Sequence, residues 1–445
     1  MTSLRTPKLI LSTALALLLS AHVSADPNRL GQDLTPVGAE RAGNAEGTIP
    51  EWTGGLAQSN DRHTNPFANE QPLFVITAAN VDQYRDRLSD GQIAMFKRYP
   101  DTFRMPVYPT HRTASYPDSI YAKAKNNAAN ARLVDGGNGI ANFDEAFAFP
   151  IPTNGLEVIW NHMTRYRGGA LERNFAQIPV QANGSFTPVK INEKLSWPSY
   201  LKSGSEDARY DNILFYFVQE VTAPARLTGN ILLVHETMNQ ITQPRQAWTY
   251  NSGQRRVRLA PNIAYDAPGT ATDGQRTTDN LDMFNGAPDR YEWNLVGKQE
   301  LYIPYNSFKL ADRSLKYSDI LQAGHINPDV TRYELHRVWK VEATLKDGQR
   351  HVYAKRVFFI DEDTWQVATV DHYDGRGELW RVGEAHHFPY RDVQVPWTAA
   401  EAFYDLQSGR YLVGALTNEE GAGYDFSQRF DYNDFTPQAI RRAGR

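Results

Sequence analysis

The sequence gathers its metal-ligating side chains most densely at His386 and His387 beside Glu384, with Asp371 and His372 one strand-like run earlier. Neighbours in a strand point to opposite faces, so adjacent histidines do not share one ion. The expectation is polar pairing near a strand end, with no metal. Asp361, Glu362 and Asp363 offer three carboxylates in a row. A calcium loop spaces its ligands around the ion, whereas three consecutive acids between two strand-like runs read as a solvated hairpin tip. Arg255, Arg256 and Arg258 form the densest basic cluster, with Arg256 and Arg258 on one strand face. They suit an anionic headgroup or an acidic partner surface, against the plainer reading of cross-strand pairing with acidic neighbours. The chain has no nucleophile-elbow serine motif, no His-Glu-x-x-His pair and no phosphate-binding glycine loop, and residues 135–139 (DGGNG) read as a helix stop. No nucleophile, base and oxyanion site come together. The expectation is therefore no catalytic residue and no cofactor.

Composition narrows the classes further. The 445 residues are 41% hydrophobic, 22% charged and 12% aromatic, with no cysteine, which describes a globular chain without thiolate chemistry, cysteine-bound metal or a lipid anchor on cysteine. A net charge of −4 offers no basic excess for nucleic acid. Residues 1–25 read as an export signal, with Arg5 and Lys8 ahead of an apolar run and Val23, Ser24 and Ala25 as a cleavage site. Its removal takes two basic residues and no acid, moving the charge to −6. A periplasmic protein, not a lipoprotein, is the expectation.

Four regions follow from the pattern: the signal at 1–25, an extended Gly-, Pro- and Asn-rich arm at 26–71, a mainly helical segment at 72–169, and a β-domain with a C-terminal tail at 170–445. Helices are expected near 80–88, 92–98, 118–133 and 154–166. Strands are expected near 171–179, 186–195, 212–222, 227–237, 245–250, 255–259 and 291–303. The runs 333–345, 350–360, 365–373 and 378–388 follow, joined by tight turns into an antiparallel meander. The 212–221 run is apolar on both sides and must be covered on both faces. Residues 265–288, polar and rich in Asp, Gly and Thr, form a long connection of the kind that often carries function. The fold class is α+β: a strongly curved antiparallel sheet, an open half-barrel, with helices over its concave side and an irregular N-terminal arm. Such a sheet can shelter an apolar ligand, and Phe215, Phe217, Trp248, Trp339 and Val341 are the candidate lining.

Several long motifs carry a resemblance: 34–40 (LTPVGAE), 47–55 (GTIPEWTGG), 149–155 (FPIPTNG) with 160–162 (WNH), 248–250 (WTY) with 253–258 (GQRRVR), 282–291 (DMFNGAPDRY) and 302–306 (YIPYN). They resemble the bacterial domain-of-unknown-function family 1329 across essentially the whole mature chain. That family is similar to outer-membrane lipoprotein-sorting carriers, in which a curved sheet closed by helices covers a hydrophobic cavity. The resemblance implies a role with lipids or hydrophobic compounds beside an inner-membrane transporter and an outer-membrane β-barrel, and it supplies no catalytic residues. The leading expectation is a carrier for an apolar small molecule or lipid. The alternatives are a ligand-free scaffold linking the two membranes and a hydrolase with an unfamiliar site.

Overall fold

The computed structural model describes residues 26–202, 211–260 and 265–444; the expected export signal lies outside the described residues. The arm from Asp26 to Gln71 contains one short 3-10 turn and no strand or α-helix, and it anchors itself by burying Val37, Ile49 and Trp52. The elements that follow are β1 (Phe74–Ile76), a 3-10 turn (Val81–Arg87), α1 (Asp90–Arg98), β2 (Met105–Val107), α2 (Asp118–Asn130), β3 (Arg132–Val134), β4 (Gly139–Ala141) and α3 (Gly155–Thr164). Ser89 and Gln92 close a reciprocal capping box at the start of α1, and Asn154 caps α3. Where a helix stop was expected, Gly136 and Gly137, both at positive φ, instead turn β3 into β4, and α2 already ends at Asn130.

The β-region runs β5 (Ala170–Val180), β6 (Val189–Ser196), β7 (Ile213–Ala223), β8 (Ile231–Thr237), β9 (Gln246–Asn251), β10 (Arg256–Leu259), β11 (Tyr291–Pro304), α4 (Tyr317–Ile320), β12 (Tyr333–Leu345), β13 (Lys355–Asp361), β14 (Val367–Tyr373), β15 (Leu379–Tyr390), β16 (Val395–Asp405), β17 (Tyr411–Leu416), β18 (Tyr424–Asp425) and α5 (Pro437–Ala443). Two sequential meanders, β5 to β10 and β11 to β17, are joined by the pairing of β17 with β5, and β1, β2 and β18 complete a 16-stranded sheet. Its pairings are antiparallel apart from one parallel contact between β12 and β2. Among the described residues no pairing joins the β10 edge to the β11 edge, so the sheet is open.

The connection from β10 to β11 shows how strongly that sheet curls. Asn285 donates its backbone N–H to the Asp279 carbonyl at 2.8 Å, so these two residues lie side by side. Yet the Asp279 carboxylate pairs with Arg356 on β13, and the Asn285 side chain donates to Glu236 on β8. Eight inter-strand steps separate β8 from β13. In a flat sheet that is about 38 Å, out of reach of one turn. The connection therefore crosses the concave face from edge to edge and plugs it, and its Gln275, Asp279, Asn280, Asp282 and Asn285 side chains are buried there.

Each strand consequently has an inner and an outer side. His372 on β14 faces the plug through Asn280, while its neighbour Asp371 points outward and accepts from Ser89 and Gly91 at the start of α1. α3 lies on the inner side with Met283 and Phe284 of the plug, Val341 and Phe358. On β7 the inner residues Phe215 and Phe217 join the main core, and the outer Tyr216 packs under the C-terminal segment with Phe435 and Ile440. Both faces of β7 are covered, as its two-sided apolar pattern requires. Among the described residues no helix is long and apolar enough to cross a membrane.

Candidate functional site

The space under the sheet is charged. Arg165 and Arg167, just past the end of α3, converge on Asp282 of the plug, Arg165 at 2.6 Å, and the Trp397 indole donates to the same carboxylate at 3.3 Å. Arg173 on β5 holds Glu193 on β6 at 2.6 Å, and Arg245 holds Glu236 at 2.8 Å. Burial works against ionising Asp282, but the two guanidiniums outweigh it and hold the acid well below the usual carboxylate range. Burial pulls Arg167 down to about 10 and pushes Glu401 up to about 7. The void among these groups, reached by Phe215, Phe217, Arg173 and Trp397, is about 40 Å³. That holds about one water molecule and no lipid chain.

The five expected lining residues do not share one surface. Phe215 and Phe217 border that small void. Trp248 pairs with Leu233, so strand alternation puts it on the opposite face, where it packs on the His235 ring at 4.9 Å. Val341 is covered by the first turn of α3, where a Cβ on Gly155 would come within 3.1 Å of its methyl. Trp339 stacks on Trp365, with Lys298 over its ring.

The acidic turn is the clearest departure from expectation. Asp361, Glu362 and Asp363 are 1–2% exposed, not a solvated tip. The arm and β2–α2 connection fold over them. Arg112 donates twice to Asp363, at 2.7 and 2.8 Å, while Lys298 reaches Glu362 at 2.7 Å. Burial, then the neighbouring Asp363 charge, pushes Asp361 up to about 7. Its Oδ2 accepts from Thr364, but Oδ1 has no hydrogen-bond partner among the described residues. Beside it a column of rings runs His336, Tyr305, His387, with centroids 3.8 and 3.9 Å apart. Glu334 accepts from Arg332 and meets the His336 ring at 3.2 Å; burial raises its pKa, yet His336 and Arg332 bring it down to about 2.

The histidine pair separates as strand alternation requires, with a bulge between the two residues. His387 stacks on Tyr305, while His386 lies toward Tyr333 on the Glu384 side, and both are buried and pushed down to about 3 by burial. Glu384 and Asp371 lie under α1, away from His372. Arg256 and Arg258 face Asn251 and Thr249 across the ladder, not acidic residues. Among the described residues, Arg255, Arg256 and Arg258 are exposed and make no ion pair, and β10 is a sheet edge; Arg441 and Arg442 of α5 are exposed on the helix that packs against it.

Open space lies at the other end of the strand order. A groove of about 810 Å³ runs between the arm at Gly47–Pro50, the turn at Val81–Arg87, β1, β2 and Tyr302 of β11. Phe74 stacks on Tyr84 at 4.8 Å, and Tyr302 meets both rings edge-on at 5.9 and 6.1 Å. Leu73 projects at the groove with 64% exposure, and Arg87, paired with Glu46 at 2.5 Å, closes one end. Sequence reading missed this site because six separate segments build it, each contributing too few residues to show a period. The aromatic residues at 74, 84, 108 and 302 were its available signal.

Comparison with known proteins agrees with the motif reading. The family model described as Protein of unknown function (DUF1329) matches residues 75–441. An uncharacterized protein of Pseudomonas aeruginosa is 59% identical over 454 residues, covering 99% of this chain and 100% of its own length. Solved structures overlay more loosely. An outer membrane lipoprotein-sorting protein domain from Vibrio parahaemolyticus has a TM-score of 0.44 at 15% identity, over 65% of this chain and 98% of that one. A DUF1329 family protein from Desulfovibrio piger has a TM-score of 0.40 at 13% identity, over 61% and 91%. By its sequence, this chain belongs to the DUF1329 family.

Proposed function

We propose that the protein is a non-catalytic carrier of the bacterial periplasm that holds a lipid or similarly apolar small molecule in the aromatic groove beside β1. The groove itself is the observation behind this reading. Its volume of about 810 Å³ falls in the range of small-molecule sites, and stacked rings with an exposed leucine supply an apolar wall. The interior under the sheet, where the ligand was first expected, is crowded by ion pairs and offers two small voids of about 40 and 70 Å³. Burial of ligand surface at roughly 25 cal/mol per Å² provides the affinity without a covalent step. Native mass spectrometry of protein purified from a periplasmic extract should find a bound lipid-sized mass. Leu73→Asp leaves the fold intact because the side chain is exposed. It should weaken the binding of a fluorescent apolar probe by about tenfold, since one leucine contact is worth roughly 1.5 kcal/mol. A wild-type chain that arrives empty and binds no probe, or a variant that binds as well as wild type, refutes the reading.

The β10 edge supports a docking role for the same carrier. Arg255, Arg256 and Arg258, unpaired with acids, and exposed Leu259 make a basic, partly apolar rim suited to an anionic lipid surface. This would bring the carrier to a membrane that holds a transporter or barrel partner. Each basic side chain near such a surface contributes about 1 kcal/mol, so Arg256→Ala with Arg258→Ala should weaken sedimentation with phosphatidylglycerol vesicles by roughly thirtyfold at low salt. Equal sedimentation of the double variant would remove this surface from the mechanism.

A further inference from the structure

Apart from the interior network and the groove, the molecule holds a third polar centre. One ring nitrogen of His336 and one oxygen from each of Asp361 and Asp363 lie within 4.8 Å of one another, and all three residues are buried. We propose that these side chains bind a divalent transition-metal ion, which fastens the acidic turn to β12 beneath the arm. The role is structural, and the site is separate from the groove.

Four features carry the assignment. Asp361 Oδ1 is buried without a hydrogen-bond partner among the described residues, although Oδ2 of the same carboxylate is engaged by Thr364. An orphaned carboxylate oxygen in so dry a place is costly unless a proton or a cation meets it. His336 has its Nε2 occupied by Glu334 at 3.2 Å, which fixes the ring and leaves Nδ1 for an ion. A carboxylate on the far nitrogen is the usual outer support of a metal-bound histidine. Asp363 spends one lone pair per oxygen on Arg112, and each oxygen retains another. Finally, the cations at the turn are engaged elsewhere: Lys298 and Arg337 serve Glu362 and Arg112 is bonded to Asp363, so among the described residues no cation is bonded to Asp361.

The donor set also restricts the ion. One imidazole with two carboxylates suits zinc, manganese or ferrous iron, whereas calcium and magnesium prefer an all-oxygen shell. The sequence hides such a site because its ligands come from different turns of the meander. Three consecutive acids resemble a solvated tip until Arg112 and the arm cover them.

The test uses the whole purified protein, treated with chelator and titrated with zinc or manganese, with calcium and magnesium as controls. Because the cluster is closed over by the arm, a parallel sample is refolded from urea in the presence of the metal. Uptake of one equivalent of zinc or manganese by either route, with an anomalous-diffraction peak between His336, Asp361 and Asp363, is the expected result. Glu334→Gln should then weaken uptake by about 10- to 100-fold, and Asp361→Asn should abolish it. Uptake well below one equivalent by both routes overturns the proposal and leaves a proton as the partner of Asp361. So does a peak elsewhere, or an Asp361→Asn chain that binds like wild type. Should Asp361→Asn fail to fold, the peak position in the wild-type crystal decides alone.

Discussion

Asp282→Asn is expected to lower the unfolding free energy by about 3–5 kcal/mol, the penalty for removing one partner of a buried charge cluster while the others remain. The substitution keeps the shape, and asparagine tolerates the left-handed backbone at this position, where φ is +53°. What disappears is the negative charge shared by Arg165 and Arg167. The hydrogen-bond partners left to both guanidiniums are then dipoles, chiefly Gln366, the His162 carbonyl and the Met163 carbonyl, with the Glu401 carboxyl close enough to interact with Arg165. The plug also loses its ion pairs to the residues just past α3, keeping there the His162 ring on the Asp282 carbonyl at 2.7 Å and the packing of Met283 and Phe284. Asp266→Asn is the control. Its carboxylate lies 3.9 Å from Arg290, with both side chains partly exposed, and a pair of that kind contributes at most about 1 kcal/mol. Urea midpoints followed by tryptophan emission should separate the two variants clearly, with Trp397 reporting directly on the altered site. If Asp282→Asn melts with Asp266→Asn, the plug is not held by its charges.

That plug marks where sequence reading succeeds and where it stops. Strands such as β7 and β12 are legible because a two-residue period and two-sided apolarity are local properties, visible within ten residues. The curvature is not local. The meander pattern gives neighbouring strands, but the pairing of β17 with β5 joins positions more than 200 residues apart, and the connection from β10 to β11 bridges β8 and β13, eight strand spacings apart. The polar character of 265–288 suggests a surface loop to any hydropathy argument. Its burial depends on cations supplied by Arg165, Arg167 and Arg356. The acidic turn fails in the same way, since the partners that permit its burial are Arg112, Lys298 and Arg337. Polarity predicts solvent only when no opposite charge is brought to meet it. β16 carries no clear strand signal for a different reason: it contains Pro396 and three alanines, a composition with weak strand preference, and becomes a buried strand through its neighbours β15 and β17.

Glu384→Gln should stabilise the protein, and by an amount that depends on pH. Glu384 is enclosed under α1, where Gln92 and Tyr333 donate to its two oxygens at 3.3 and 3.1 Å. Burial pushes it from 4.5 up to about 7, and no cation is among the groups that shift it. Asp371, also raised to about 7 by burial, shares the space under the helix and feels the Glu384 charge, as do Tyr333 and Tyr404. Between pH 4.5 and 7 the folded chain keeps a proton on Glu384 that the unfolded chain has released. Folding then takes up a proton, so the stability owed to this group falls as pH rises through that window and stays low above it. The size of the shift corresponds to roughly 3 kcal/mol. Glutamine imitates the protonated acid, offering an oxygen to Gln92 and an N–H toward Tyr333, and it cannot ionise. At pH 5 the variant should therefore unfold close to wild type, and at pH 8 it should be more stable by about 3 kcal/mol. Taking the difference between the two proteins at each pH removes most of the contribution of the other titrating groups, the low-lying histidines included. Urea unfolding at pH 5, 6, 7 and 8 measures that difference. Parallel curves for the two proteins would mean that Glu384 ionises in the fold as readily as in the unfolded chain, and that the space beneath α1 is wetter than its packing indicates.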